Sequence, residues 1–133
     1  AARLEHTAWH VRRAAVEALA QLADKGDHHA ITAVTARLEH RNPDVRIAAV
    51  QALAQLAEKG DHHAIAAVTA RLEDGSWHVR RAAVEALAQL AEKGDHHAIT
   101  AVTARLEDGS WHVRRAAVQA LAPWRRSCEV CSG

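Results

Sequence analysis

Apolar residues along the chain recur at helical spacing, and the whole pattern then repeats at a longer fixed distance. Over 9–25, with about 100° between successive residues, Val11, Ala14, Ala15, Ala18, Leu19 and Leu22 share one wide face, and Arg13, Glu17, Gln21 and Asp24 lie opposite. This predicts a helix over about Trp9–Lys25, ended by Gly26. Asp27 is placed to cap a second helix over about His28–Glu39. That helix puts Ala30, Ile31, Val34 and Leu38 on an inner side and His29, Thr32, Ala33 and Ala36 on the other. The block Trp77–Leu90 returns at 9–22, at 111–122 and, with changes, at 43–56, so Val11, Val45, Val79 and Val113 stand 34 residues apart. A helix pair repeated at constant period buries its apolar sides by stacking on its neighbours, not around a single core.

The predicted array spans 1–122, with units of about 1–34, 35–68, 69–102 and a truncated 103–122. Asn42, Ser76 and Ser110 are candidate N-caps, with Pro43 at a tolerated first position; Ala8 is a weaker start. Ala1–Glu5 matches the unit tails Thr35–Glu39 and Thr69–Glu73. The chain is therefore expected to enter at the end of a helix, as a fragment or an expressed piece without a leader. Pro123 replaces the Gln found at 21, 55 and 89, so 123–133 is expected to be an irregular tail. The last unit then keeps only its first helix. Its open apolar flank is expected to be covered by Trp124 folding back or by another molecule, giving a monomer or a weak dimer through the C-terminal end.

Composition narrows the partners. Hydrophobic residues make up 49% of the 133, yet Phe, Tyr and Met are absent and much of the apolar content is Ala, which favours closely approaching helices. Seventeen basic against sixteen acidic residues leave a net charge of +1, no field for nucleic acid or an anionic membrane. No apolar run approaches the roughly 20 residues of a membrane span. A soluble chain, cytoplasmic if natural, is expected.

Asn42-Pro43-Asp44-Val45-Arg46-Ile47-Ala48-Ala49-Val50-Gln51-Ala52-Leu53, followed by Gly60-Asp61 and a shorter Ala- and Ile-bearing helix, resembles the HEAT-like repeat of the phycobilisome-lyase type. The likeness covers about 1–122. It is also similar to artificial consensus proteins of that family, because Thr69–Val84 and Thr103–Val118 are identical; recent natural duplication gives the same pattern. The resemblance implies an all-α, right-handed α-solenoid with first helices convex and second helices concave. It further implies that Arg12, Arg46, Arg80 and Arg114 stack along the array against acidic residues of neighbouring turns. A concave stripe of His29, Thr32, Ala33 and Ala36, with His63, Ala66, Ala67, Ala70, His97, Thr100, Ala101 and Ala104, would meet a protein partner. That stripe is poor in Tyr, Trp and Arg, so weak binding is expected.

The remaining chemistry favours plain readings. The pairs His28-His29, His62-His63 and His96-His97 invite a metal, but adjacent helical residues diverge by about 100° and do not chelate as a pair. Deoxyhypusine hydroxylase, a HEAT-like di-iron enzyme, uses His-Glu dipeptides, and this chain has none. Cys128 and Cys131 form half of a zinc-ribbon spacing, and a zinc-bridged assembly through the histidine pairs and these cysteines is the alternative. Trp9, Trp77 and Trp111, beside His and Arg, could stack on bases, but interleaved acidic residues favour packing between units. No catalytic grouping or cofactor motif is present. The expected role is a non-catalytic scaffold for protein interaction, with a fragment of a lyase-like enzyme as a further alternative.

Overall fold

The computed structural model describes the backbone of residues 2–132 and the side chains of 9–125. Among these are seven α-helices: α1 (Ala2–Leu22), α2 (His28–Thr35), α3 (Pro43–Leu56), α4 (His62–Ala70), α5 (Trp77–Leu90), α6 (His96–Ala104) and α7 (Trp111–Ser132). They stack as consecutive pairs in an all-α solenoid. The first helices α1, α3, α5 and α7 form one closely packed layer. Each second helix leans on the first helix of the following unit, and the second helices barely touch one another.

Small side chains permit this. Ala48, Ala49, Ala52, Ala82, Ala83 and Ala86 are buried between first helices, with Leu53 and Leu87 fully enclosed. Val16, Val50 and Val84 are also buried, a face the single-stripe reading left out, whereas Val118 is 58% exposed. Conversely Val45, Val79 and Val113 are buried and Val11 is open. A first helix is therefore apolar on two opposite sides, one against the unit before it and one against the unit after.

Three boundaries differ from the sequence expectation. First helices end at Leu22, Leu56 and Leu90, not at the Lys three residues on. In the second unit Ala57 is extended and Glu58–Asp61 form a turn closed by the Asp61 N–H on the Glu58 carbonyl at 3.1 Å. Gly60 sits in that turn at φ 85°, where a side chain is strained, and its N–H crosses to the Leu90 carbonyl of the next unit at 2.7 Å. Gly26 repeats the arrangement onto Leu56 at 2.6 Å. At the start of the chain there is no break before Trp9: α1 runs unbroken from Ala2, because His6-Thr7-Ala8 carries neither glycine nor the Asn or Ser found before the later first helices. At the other end the tail is not irregular. Helix α7 continues through Pro123 to Ser132. The proline is exposed, so the Gln119 carbonyl it leaves without a donor can face water. Trp124 does not fold back; it takes the in-line place of Leu56 and Leu90 and is buried as they are.

Each second helix starts on an aspartate. Asp27, Asp61 and Asp95 accept from the N–H groups of Ala30, Ala64 and Ala98, all at 3.0 Å. Each then tightens into a 3₁₀ turn, at Ala36–Glu39, Arg71–Glu73 and Arg105–Glu107. Just before that turn Thr35, Thr69 and Thr103 donate back to the carbonyls of Ile31, Ile65 and Ile99, a bond that bends helices.

Stacking of this kind makes equivalent valines unequal. Val84→Ala should lower stability by about 2 kcal/mol through lost burial and a residual cavity. Val118→Ala, the same change one unit on, should stay within about 0.5 kcal/mol in dilute solution. Urea unfolding followed by circular dichroism measures both, and equal losses would contradict the two-sided burial.

Candidate functional site

Two surfaces carry the polar chemistry: the line of junctions between units and the face of the second helices. At the junctions an arginine of each of α1, α3 and α5 reaches 28 residues forward. Arg80 Nε and Nη2 donate to Asp108 Oδ2 and Oδ1 at 2.9 and 3.1 Å, and its Nη1 donates to the Asp74 carbonyl at 2.7 Å. Arg46 also pairs with Asp74: its Nη2 donates to Oδ1 at 3.0 Å and its Nε lies 2.9 Å from Oδ2. Those aspartates also accept from the N–H groups of Ser76 and Ser110, at 2.9 Å each. Thus the carboxylate two residues upstream, and not the Ser76 hydroxyl, supports the start of α5. A second arginine runs backward: Arg71 and Arg105 donate to the carbonyls of Leu38 and Leu72 at 3.1 and 3.0 Å. Arg114 donates to the Asp108 carbonyl at 2.7 Å.

Asp108 is buried, and burial alone would raise its carboxyl pKa. The hydrogen bonds from Arg80 and from the Ser110 N–H, together with the charges of Arg80 and Arg105, outweigh that and hold it below the ordinary 3.8.

The first junction is built differently. His40 stands where Asp74 and Asp108 stand later. The Asn42 N–H donates to its Nδ1 at 3.0 Å, and Arg12 Nη1 lies 2.9 Å from its Nε2. Two donors thus converge on an imidazole that offers one acceptor when neutral and none when protonated. Burial, then the charges of Arg12, Arg37 and Arg41, push its pKa below 6.5.

At one edge, the indoles of Trp9, Trp77 and Trp111 stack on imidazoles. Trp77 lies 3.6 Å from the His78 ring and, nearly parallel at 8°, 4.2 Å from His112 of the following unit. Arg81 sits over the Trp77 ring at 5.4 Å, as Arg13 does over Trp9 at 5.5 Å.

On the second-helix face, His29, Thr32, Ala33, Ala36, His63, Ala66, Ala70, His97, Thr100 and Ala104 are exposed, while Ala67 and Ala101 are half-buried against the core. Because α2 and α4 stand apart, a groove of about 930 Å³ opens between them. It draws Thr32 and Ala36 from one unit and His63, Ala67 and Ala70 from the next. The other residues of the stripe lie outside it. Glu39, Glu58, Asp61 and Arg71 edge the same groove. The stripe reading missed them because they sit in the turns and 3₁₀ segments that flank the helices. Their acidic bias was visible in the sequence, but their convergence was not.

The histidine pairs join no metal cluster: among the described residues no three His, Cys, Asp or Glu side chains gather as a metal site. Cys128 and Cys131 have side chains outside the described residues. No described helix is long and apolar enough to cross a membrane.

The family model for HEAT repeats matches residues 1–54 and 31–122. The chain belongs to the HEAT-repeat family. A search of curated proteins finds no match. HEAT repeats commonly serve as scaffolds that mediate protein interactions. In this HEAT array Arg46, Arg80 and Arg105 are committed to carbonyls and carboxylates, and most of the second-helix stripe is exposed.

The two kinds of junction should separate by pH. His40 has a folded pKa below its unfolded value, so its contribution is complete above about 6.5 and falls as pH drops through that value. Asp108 keeps its contribution until pH falls below 3.8. His40→Asp should therefore raise the melting temperature and flatten the profile between pH 7 and 5 relative to the parent chain. An unchanged slope in paired melting curves would disprove the role assigned to His40.

Proposed function

We propose that this HEAT array is a non-catalytic scaffold that holds a protein segment against its second helices. The observation that carries the reading is the groove between α2 and α4, about 930 Å³. It is floored by small side chains that leave room for a partner. Its rim carries Glu39, Glu58 and Asp61 against Arg71, a balance that favours a segment bearing Lys or Arg. The exposed stripe continues the surface along α6 through His97, Thr100 and Ala104. The family's scaffolding role supports the same reading, as does the structural occupation of Arg46 and Arg80. With few aromatic anchors on this face, affinity rests on shape and charge and is modest.

Peptides selected from a random library for binding to the chain provide the test. They should be rich in basic residues and should slow amide hydrogen exchange in α2 and α4. Ala36→Arg and Ala70→Arg should each weaken them about tenfold or more, about 1.4 kcal/mol, without changing the fold. Protection confined to the first helices, with both variants binding normally, would defeat the proposal.

A further inference from the structure

The groove between α2 and α4 holds imidazoles as well as carboxylates. Its ionisable lining is His28, the first residue of α2, His63, the second residue of α4, and Glu39, Glu58, Asp61 and Arg71. With both imidazoles neutral, three carboxylates face one guanidinium and the lining carries a net charge of −2. With both protonated it carries none.

The two rings stand on opposite walls, and both are exposed. They share the helix-start end of the groove with Glu58 and Asp61. The Glu58 carboxylate reaches back to the start of α2, where a Cβ on Gly26 would lie 3.3 Å from its Oε1. Asp24, Lys25 and Asp27 lead into α2, and Lys59 and His62 flank Asp61 ahead of His63. The Asp27 and Asp61 carboxylates accept from the Ala30 and Ala64 N–H groups at 3.0 Å, which fixes them at the helix starts. Arg71 donates to the Leu38 carbonyl at 3.1 Å and lies 3.7 Å from Asp74 Oδ2, so the guanidinium of the lining is tied to the junction. In general imidazole changes its charge between about pH 8 and 5, whereas carboxylates keep theirs to about pH 4 and guanidinium keeps its charge throughout. Mild acid therefore acts on this groove through its histidines.

We propose that His28 and His63 make the groove a proton-gated seat, which takes a segment bearing Lys or Arg near neutral pH and releases it in mild acid. Two imidazolium charges cancel the negative charge that holds the segment and repel its cations directly. The segment keeps its own charge over the same range, and the array needs no change of shape. The proposal rests on the reading of this groove as the seat of a basic segment.

Calorimetric titration of the full chain tests it, using one histidine-free, arginine-bearing peptide selected from the library at about pH 7.5, in about 0.1 M salt. Between about pH 7.5 and 5 the parent chain should bind this peptide about fivefold more weakly, the size expected of two partly screened charges. His28→Gln with His63→Gln should bind as the parent does at pH 7.5 and stay within about twofold at pH 5. His28→Lys with His63→Lys, charged at both pH values, should bind at pH 7.5 about as weakly as the parent does at pH 5. All four changes are at exposed positions, so these variants should melt as the parent does. His40, whose junction loosens over the same range, is present in all three chains. A fall that persists in the glutamine variant would assign the effect to that junction and overturn the proposal. A parent affinity that does not change with pH, or a lysine variant that binds fully at pH 7.5, would overturn it too, and each leaves the groove reading standing. If Ala36→Arg and Ala70→Arg leave peptide binding untouched, the groove reading fails and this proposal fails with it.

Discussion

The array depends on a first helix that is apolar on two opposite sides. Such a helix cannot be satisfied by its own short partner, and it buries both sides only when it lies between two others like itself. Ala on the contact faces allows the close approach, and Val and Leu at fixed places fill the space that remains. The short second helices add little to one another and instead brace the following first helix. Stability is thus shared between neighbours along one dimension, and the middle units hold the best-buried residues, such as Leu53 and Leu87.

Polar bonds follow the same direction. Forward pairs such as Arg80 with Asp108, backward bonds such as Arg105 to the Leu72 carbonyl, and the amide bridge from Gly60 to Leu90 each join one unit to the next. They set the angle and register of stacking, and the apolar burial supplies most of the energy. Side chains used this way are unavailable for partners, which is why the open chemistry of this HEAT array is concentrated on the second helices and their flanking turns.

Much of this was legible from periodicity. The unit length, the helix pairs, the Asp27, Asp61 and Asp95 caps and the inner residues Val34 and Leu38 follow from spacing and propensity alone. Other features did not follow, for physical reasons. A helical wheel drawn on one unit has no neighbours, so it finds one apolar face where stacking needs two, and Val16 fell outside it. A proline signals a break when only its lost donor is counted, but Pro123 is exposed and Trp124 gains the burial of a core position. The bonds from the Gly26 and Gly60 amides to the Leu56 and Leu90 carbonyls at the helix ends join separate units, and local signals do not contain them. The groove edge formed by Glu39, Glu58, Asp61 and Arg71 needs two units in place before it exists.

The histidine at position 40 gives the array a seam. Where the later junctions close on a carboxylate, the first closes on a ring that is asked to accept two hydrogen bonds and can accept one. Acid therefore loosens the polar closure between the first and second units while the carboxylate junctions further along are still intact.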